Sequence, residues 1–501
     1  MLPGGSLSDR VRPWLGPALI AVAAGIAALA GSFLAVGRQP AWVVAPFDAF
    51  VLAASPDALI RFAITTLGEL GHQLAFATAI ALAATLLGIA ALPGVLAVRD
   101  GRWLTAVVLG AVLPGLATIG LTATAASAIG AGAGAGLVLL VAGGLTRRTA
   151  DESHSPARRS VLGALATAVG VGATGVLIRG TGPGVRAGAD GVSIPDDARE
   201  PVRTLMTRAQ RQSLDVDGLE PLVSTDFYEV DINNVDPDVT AEDWSLSVTG
   251  AVKNEQELDF AALQELPFED RFVTLRCVGD GLNGDQMDNA LWGGVPVAEV
   301  LEMAEPEGDR VILHAADGYF NDFPLAALEP GLLAYRMNGR PLPRGHGKPV
   351  RALVPGHWGE VNVKWLTEIE VVDEDIQGYW EKRGWHGTGP VRTVAKLWQI
   401  NYPSPGRVEL AGHAYAGTRG IDAVEVSIGS NDEWQDAELS APLPGDDVWR
   451  QWRFTYESEE SHLATVRAVD GTGAVQELGD MDPFPSGAKG WVSKPIEPKT
   501  S

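Results

Sequence analysis

Long uninterrupted apolar runs fill the first third of the chain, and a helix needs about 20 such residues to cross a hydrocarbon core. Runs at Trp14–Val36, Leu74–Val98, Trp103–Thr122, Ala125–Leu145 and Val161–Ile178 come close to or exceed that length. They predict an N-terminal α-helical transmembrane bundle of about five spans over residues 1–179. Ala, Gly, Leu and Val dominate, and small residues let helices approach closely in lipid, so a packed bundle is expected rather than separate anchors. The segment Trp42–Gly71 carries Asp48, Asp57, Arg61 and Glu69. It reads as an interfacial or re-entrant element, not a sixth span.

The pattern changes after residue 180. Residues 180–217 lack a sustained apolar period and read as a linker with at most one short helix. In 218–400 short strands alternate with short helices: Trp244–Val248 and Arg310–His314 read as strands, Phe260–Leu266 and Val297–Ala304 as helices, which makes this an α+β domain. In 401–501 only period-2 alternation remains, at Val424, Val426 and Ile428, at Trp452, Phe454 and Tyr456, and at Ala464, Val466 and Ala468. That predicts an all-β immunoglobulin-like sandwich.

Charge divides along the same line. The formal net charge is -24, and residues 1–180 hold 11 Arg, no Lys and 7 acids, which leaves 27 basic against 55 acidic residues beyond. Such an excess of acid argues against a nucleic-acid partner. It fits a halophile, in particular a haloarchaeon, where concentrated salt screens self-repulsion; an ordinary acidic surface is the alternative. Arg10 and Arg12, Arg99 and Arg102, and Arg147, Arg148, Arg158 and Arg159 all fall on one side of a five-span arrangement. With that side cytoplasmic, everything after Arg179 is extracytoplasmic, in a multi-pass protein of the cell membrane. Arg158-Arg159 before an Ala/Gly-rich run also resembles a twin-arginine export signal; ordinary positive-inside residues explain it equally well. Only His72 lies near a span, so the bundle offers no pair of facing imidazoles for haem.

A single cysteine, Cys277, excludes disulfides, cysteine-ligated clusters and C-x-x-C-H haem attachment. It ends an alternating run, Phe272-Val273-Thr274-Leu275-Arg276-Cys277, that enters the turn Val278-Gly279-Asp280-Gly281. A free cysteine so placed is either a small buried hydrophobe or a soft thiolate ligand for a metal whose other ligands come from a cofactor.

Several separated segments carry a resemblance. Thr274-Leu275-Arg276-Cys277-Val278 is followed by Ala290-Leu291-Trp292-Gly293-Gly294-Val295-Pro296. Further on come Leu333-Ala334-Tyr335-Arg336-Met337-Asn338-Gly339-Arg340-Pro341-Leu342-Pro343, then His346-Gly347-Lys348-Pro349-Val350-Arg351, Val354-Pro355-Gly356 and Val363-Lys364-Trp365-Leu366. Asp226–Trp491 resembles the sulfite oxidase family of molybdenum enzymes. The resemblance implies a molybdenum-molybdopterin cofactor with Cys277 as metal ligand. It implies Tyr228, Glu229, Val230, His346, Arg351, Asn362, Val363 and Lys364 as pterin contacts, and Tyr319 beside the metal. Arg351 as a planar fork and Lys364 as a point charge suit a phosphate dianion. Gly412-His413-Ala414-Tyr415-Ala416-Gly417 and Ile421–Ser427 resemble the family's dimerisation domain, which implies a homodimer.

The departures bear on substrate. Phe227-Tyr228 leads into Glu229-Val230-Asp231-Ile232 instead of an Arg-Asn-His run, and no arginine pair follows Cys277-Val278-Gly279-Asp280. Sulfite needs several fixed cations, whereas Asp280, Asp285 and Asp322 suit a neutral or cationic substrate. The Phe-Tyr-Glu run resembles the bacterial branch that reduces methionine sulfoxide. The expected activity is therefore oxygen-atom transfer on a small neutral or cationic molecule, sulfoxide reduction ahead of sulfite oxidation. Electrons are exchanged with an external carrier or a membrane partner. The alternative is a non-catalytic surface protein whose anchor presents an immunoglobulin-like binding module.

Overall fold

The computed structural model describes residues 14–148, 156–179, 194–429 and 433–498. They form two units, an N-terminal helical unit that includes Asn233–Asp238, and a second unit of Gly184–Ile232 with Val239–Ser501.

The helical unit comprises α1 (Leu15–Val36), α2 (Ala45–Ala54), α3 (Asp57–Phe62), α4 (Glu69–Arg99), α5 (Trp103–Thr122), α6 (Ala125–Arg148) and α7 (Pro156–Arg179). Four of the described helices, not five, are long and apolar enough to cross a membrane: Leu15–Val36, Leu70–Arg99, Trp103–Thr122 and Ala125–Leu145. The fifth expected span lies on α7, whose described apolar stretch is the shorter Val161–Val171. Between Trp42 and Gly68 there are only short helices, and α4 begins at Glu69.

Small residues set the helix separation. Ala23, Ala24, Ala27 and Ala28 of α1 are fully buried. A Cβ on Gly31 would overlap Gly130 O of α6, and one on Gly134 would overlap Ala27 O, so these backbones touch where only glycine fits. Large apolar residues such as Ile89, Leu116 and Ile129 instead face outward, as a lipid-facing surface requires. Asp48 is buried on α2. It accepts from Asn234 N at 2.7 Å and Nδ2 at 2.8 Å, and Arg38 Nε donates to Asn234 O at 2.7 Å. A carboxylate is tolerated there because its hydrogen bonds are made within the unit. Arg10, Arg12 and residues 180–193 lie outside the described residues.

In the second unit, α8 (Glu200–Gln212) falls inside the stretch read as a linker and buries Val202, Met206 and Ala209 at helical spacing. One sheet has the order β2-β1-β10-β5-β6, from β1 (Ser245–Gly250), β2 (Gln256–Asp259), β5 (Arg310–Ala315), β6 (Phe320–Pro324) and β10 (Leu366–Val372), with β1 and β10 parallel. A second has the order β3-β4-β7-β8, from β3 (Glu269–Arg276), β4 (Met287–Pro296), β7 (Leu332–Met337) and β8 (Arg340–Pro341), with β9 (Arg351–Leu353) on β7. Two helices share their core: α9 (Phe260–Glu265), started by Asp259 accepting from Ala262 N at 2.7 Å, and α10 (Val297–Ala304). Leu246, Val248, Leu263, Val300, Leu313, Leu333 and Ile369 meet there.

Beyond residue 393 the described elements are strands. β11 (Val394–Ala395), β13 (Arg407–Tyr415), β17 (Arg450–Glu457) and β16 (Glu438–Leu439) form one sheet in that order, with β12 (Gln399–Ser404) on β13. β15 (Trp434–Asp436), β14 (Ile421–Ile428), β18 (His462–Asp470) and β19 (Val492–Ile496) form another. Val408, Leu410, Val424, Val426, Trp452 and Val466, drawn from alternate positions, fill the core between them.

Candidate active site

β3 delivers Cys277 to the site. It pairs with β4 from Glu269↔Gly294 to Arg276↔Met287. Thr274 fastens it to the C-terminal region, its N donating to Asp447 O at 2.9 Å and its Oγ1 accepting from Trp449 N at 3.0 Å. The strand is therefore held on both sides and its end is rigid. Cys277 N donates to Gln286 O at 3.0 Å and Cys277 O accepts from Asp280 N at 3.1 Å, which closes the turn. The thiol is half-buried, and burial pushes it up to about 12, with Asp280 and Glu360 adding to the rise and Arg276 opposing it.

Asp280 holds this turn together. Its Oδ2 accepts from Arg276 Nε at 3.0 Å and from Lys396 Nζ, and its Oδ1 accepts from Gln286 N at 3.2 Å. All three charged side chains are fully buried. Lys396 also donates to Gly284 O at 2.8 Å. Burial pushes its ammonium down to about 8, with Asp280 pulling the other way. The expectation that Asp280 and Asp322 act as negative charges favouring the substrate needs correction: Asp280 is engaged by two cations and Asp322 by Arg310.

A second group of side chains collects around Arg351, at the start of β9. Its Nη1 donates to His346 O at 3.2 Å and its Nη2 to Asn362 O at 2.9 Å, while Nε is buried without a partner. Lys364 pairs with Asp231 and donates to Gly345 O at 2.8 Å. His346 Nε2 lies 3.5 Å from Glu229 Oε1. Burial, then Arg351 and Lys364, pushes His346 down to about 3, so it is neutral and this contact is not an ion pair. Asp288 fixes the segment bearing Tyr228 and Glu229, accepting from Tyr228 N and Ser224 Oγ, each at 2.8 Å. Glycines leave the room: a Cβ on Gly345 would overlap the Glu229 carboxylate, and one on Gly359 would lie 2.7 Å from Tyr228 Oη. Asn362 Oδ1 accepts from Val354 N at 2.7 Å, Val363 is buried in the core and Val230 is exposed.

The 3-10 turn Gly359–Val361 joins the two groups. Gly359 packs against Tyr228 and the Arg276 carbonyl, and Glu360 O accepts from Tyr319 Oη at 2.8 Å. Asn321 Nδ2 donates to Tyr319 Oη at 3.0 Å. Cys277, Tyr319, Tyr228, Glu229, His346, Arg351, Asn362 and Lys364, scattered between positions 228 and 364 of the sequence, thus surround one region. Sequence reasoning missed Glu360, Glu381, Asn321, Lys396 and Asp288, since no short motif marks a buried polar partner whose mate lies far along the chain.

Residues 233–380 match the family described as oxidoreductase molybdopterin binding domain. The chain is 26% identical to the sulfite oxidase of Arabidopsis thaliana over 302 residues, 47% of this chain and 77% of that one. It is 30% identical to the mitochondrial sulfite oxidase of Rattus norvegicus over 302 residues, 49% of this chain and 54% of the relative. With the uncharacterized oxidoreductase YuiH of Bacillus subtilis it shares 34% identity over 150 residues, 29% of this chain and 74% of the relative. Fold and site thus define a molybdopterin-dependent oxidoreductase with a molybdenum-molybdopterin cofactor. The chain belongs to the sulfite oxidase family.

The residues present fit that cofactor. A buried guanidinium with an unpartnered Nε, beside Lys364 and a glycine-lined loop, is a set of donors for a phosphate. Arg351→Met is expected to lower pterin retention at least about tenfold, by analogy with the loss of groups that support a metal site. Pterin fluorescence of denatured protein, normalised to chain, checks it.

Proposed function

We propose that this chain is a membrane-anchored molybdenum enzyme of oxygen-atom transfer that acts on a small neutral or cationic substrate, with sulfoxide reduction ahead of sulfite oxidation. Cys277 ligates the metal. Tyr228, Glu229, Val230, His346, Arg351, Asn362, Val363 and Lys364 hold the pterin: Arg351 and Lys364 bind its phosphate, and Glu229 and neutral His346 take its ring hydrogen bonds. When bound, the cofactor supplies two-electron cycling between molybdenum VI and IV. Tyr319, whose hydroxyl donates to Glu360 O and accepts from Asn321 Nδ2, lines the substrate site beside the metal.

One observation carries the substrate reading. Arg276, beside Cys277, is fully buried, engaged by Asp280 and stacked over Trp358 at 5.0 Å, whereas carboxyl groups of Glu360 and Glu381 stand near Tyr319. A dianion would enter without fixed cations to replace its hydration, while a sulfoxide needs only hydrogen-bond donors. With α7 taken as a fifth crossing beside the four long apolar helices, the positive-inside arginines support catalytic domains on the extracytoplasmic face, with electrons from an external carrier or membrane partner. The C-terminal sheets are read as an immunoglobulin-like dimerisation domain. The acidic surface is that of a protein working in concentrated salt.

Steady-state assays on purified, metal-replete protein with dialkyl sulfoxides, amine N-oxides and sulfite test this. Sulfoxide or N-oxide turnover with sulfite at least about 100-fold poorer in kcat/KM is expected, the discrimination typical of a pocket lacking the polar partners a ligand needs. Sulfite as the preferred substrate overturns the reading.

A further inference from the structure

The segment Asn233–Asp238 belongs to the helical unit, although the chain on either side of it, up to Ile232 and from Val239, belongs to the second. Asn234 is its fixed point. Asp48 accepts from its N at 2.7 Å and its Nδ2 at 2.8 Å, while Arg38 Nε donates to its O at 2.7 Å, so backbone donor, backbone acceptor and side chain are all engaged. Asn234 and Asp48 are both buried, and Val235 packs into the apolar cluster that holds Trp42, Val43 and Val44. The receiving side is fastened in turn. Trp42 Nε1 donates to Leu29 O and Val43 N to Ser32 Oγ, each at 3.3 Å, and Ser32 Oγ lies 2.8 Å from Ser127 Oγ, which ties the turn before α2 to α1 and α6.

Attachment to a membrane needs only apolar length. A carboxylate that accepts from both the N and the Nδ2 of one residue does more: it holds that residue in one orientation, and its burial in a helical unit is costly unless those bonds are kept. Three positions before Asn234 is Asp231, the partner of Lys364, and before it run Tyr228, Glu229 and Val230, with Tyr228 N donating to Asp288 Oδ2 at 2.8 Å. A three-residue connection reaches about 10 Å at full extension. The run therefore has a fixed point at each end, Asp288 at Tyr228 and Asp48 beyond Asp231, and loses one of them when Asp48 no longer accepts.

We propose that Asp48 and Arg38 are positioning residues for the cofactor: by holding Asn234 they keep Tyr228–Asp231 set for the pterin, so the helical unit serves cofactor retention as well as attachment. The role rests on the reading above, in which Tyr228, Glu229 and Val230 touch the pterin and Lys364 binds its phosphate. Asp231 carries the effect to Lys364, since their ion pair sets where the ammonium points.

Three variants of the full chain in detergent test this, read by the rate at which pterin leaves the protein and by amide hydrogen exchange. Asp48→Asn leaves one donor of Asn234 facing an amide NH2. It should release pterin about tenfold faster, the low end of what supporting partners of a metal site contribute, with faster exchange over 228–234. The exchanged pair, Asp48→Asn with Asn234→Asp, matches donor to acceptor at both contacts again and should return both readouts toward wild type. Two glycines inserted between Ile232 and Asn233 leave every hydrogen bond to Asn234 in place but slacken the connection. That insertion should release pterin as Asp48→Asn does while α2 keeps wild-type protection, a result that a purely structural Asp48 does not produce. Wild-type release from Asp48→Asn or from the insertion, or an exchanged pair no better than Asp48→Asn, overturns the proposal. Should these chains fail to accumulate, the wild type decides: coupling is reciprocal, so removing the cofactor should speed exchange at Asn234, and exchange there that ignores the cofactor overturns the proposal. Arg351→Met separates the two failures. If it keeps its pterin, the assignment of the phosphate site is wrong, whereas pterin lost from Arg351→Met but retained by Asp48→Asn refutes the positioning role alone.

Discussion

Cys277→Ser is expected to fold normally and to purify without molybdenum, with turnover reduced to background. The substitution changes one atom, and the backbone bonds that close its turn, Cys277 N→Gln286 O and Asp280 N→Cys277 O, do not involve that atom and survive. What changes is the proposed metal ligand. A thiolate is soft and forms readily once a metal replaces its proton, whereas a serine hydroxyl is hard and far less acidic. Losing a supporting partner of a metal site costs roughly 10–100-fold in affinity, so losing the ligand itself should exceed that. In the cofactor-free protein the thiol, pushed up to about 12 by burial and by Asp280 and Glu360, is protonated at neutral pH and should react slowly with alkylating reagents. Metal analysis per chain, the thermal midpoint and the alkylation rate are the three measurements. Full molybdenum occupancy in the serine variant would remove Cys277 from the coordination sphere.

How much of this was legible depended on the range over which each signal acts. Periodicity is local, and the local elements follow it: Arg310–Ala315 extends the expected strand by a residue, Val297–Ala304 is the expected helix, and the alternation at Val424–Ile428 lies within β14. Cys277 stood out because it ends an alternating strand at a glycine-rich turn. Charge partners act through space and leave no such trace. Asp280 and Lys396 are 116 positions apart, and Asp322 read as a free acid because Arg310 faces it across the β5–β6 hairpin. Glu360 sits in an unremarkable Gly-Glu-Val-Asn run, and its burial against Glu381 follows from two turns that only the folded chain brings together. The bundle shows the same division. Apolar length announced the long helices, while Asp48 on α2 found its partner at Asn234, far along the chain.

Asp280→Asn is expected to destabilise the second unit by about 3–5 kcal/mol at pH 7, the usual cost of breaking a buried ion pair by removing one partner. Asparagine keeps the shape and an acceptor for Gln286 N, but it leaves Arg276 and Lys396 as two buried like charges, both side chains 0% exposed. Arg276 cannot shed its proton; Lys396 can. In the wild type its folded value is about 8, against an ordinary 10.5. Between those values the unfolded chain binds more protons, so this residue's contribution to stability rises with pH from about 8 to 10.5. Removing Asp280 removes the influence that holds Lys396 up, so the window opens at lower pH and the deficit should shrink as pH rises from neutral. The double variant Asp280→Asn with Lys396→Met removes one stranded charge and should recover part of the loss, with non-additivity of about 0.5–3 kcal/mol as expected for contacting residues. Thermal unfolding at pH 6, 7, 8 and 9 resolves both effects. Because the same carboxylate closes the Cys277 turn, molybdenum content should fall with stability in the single variant and recover with it in the double. A pH-independent deficit would mean that Lys396 does not titrate in this network.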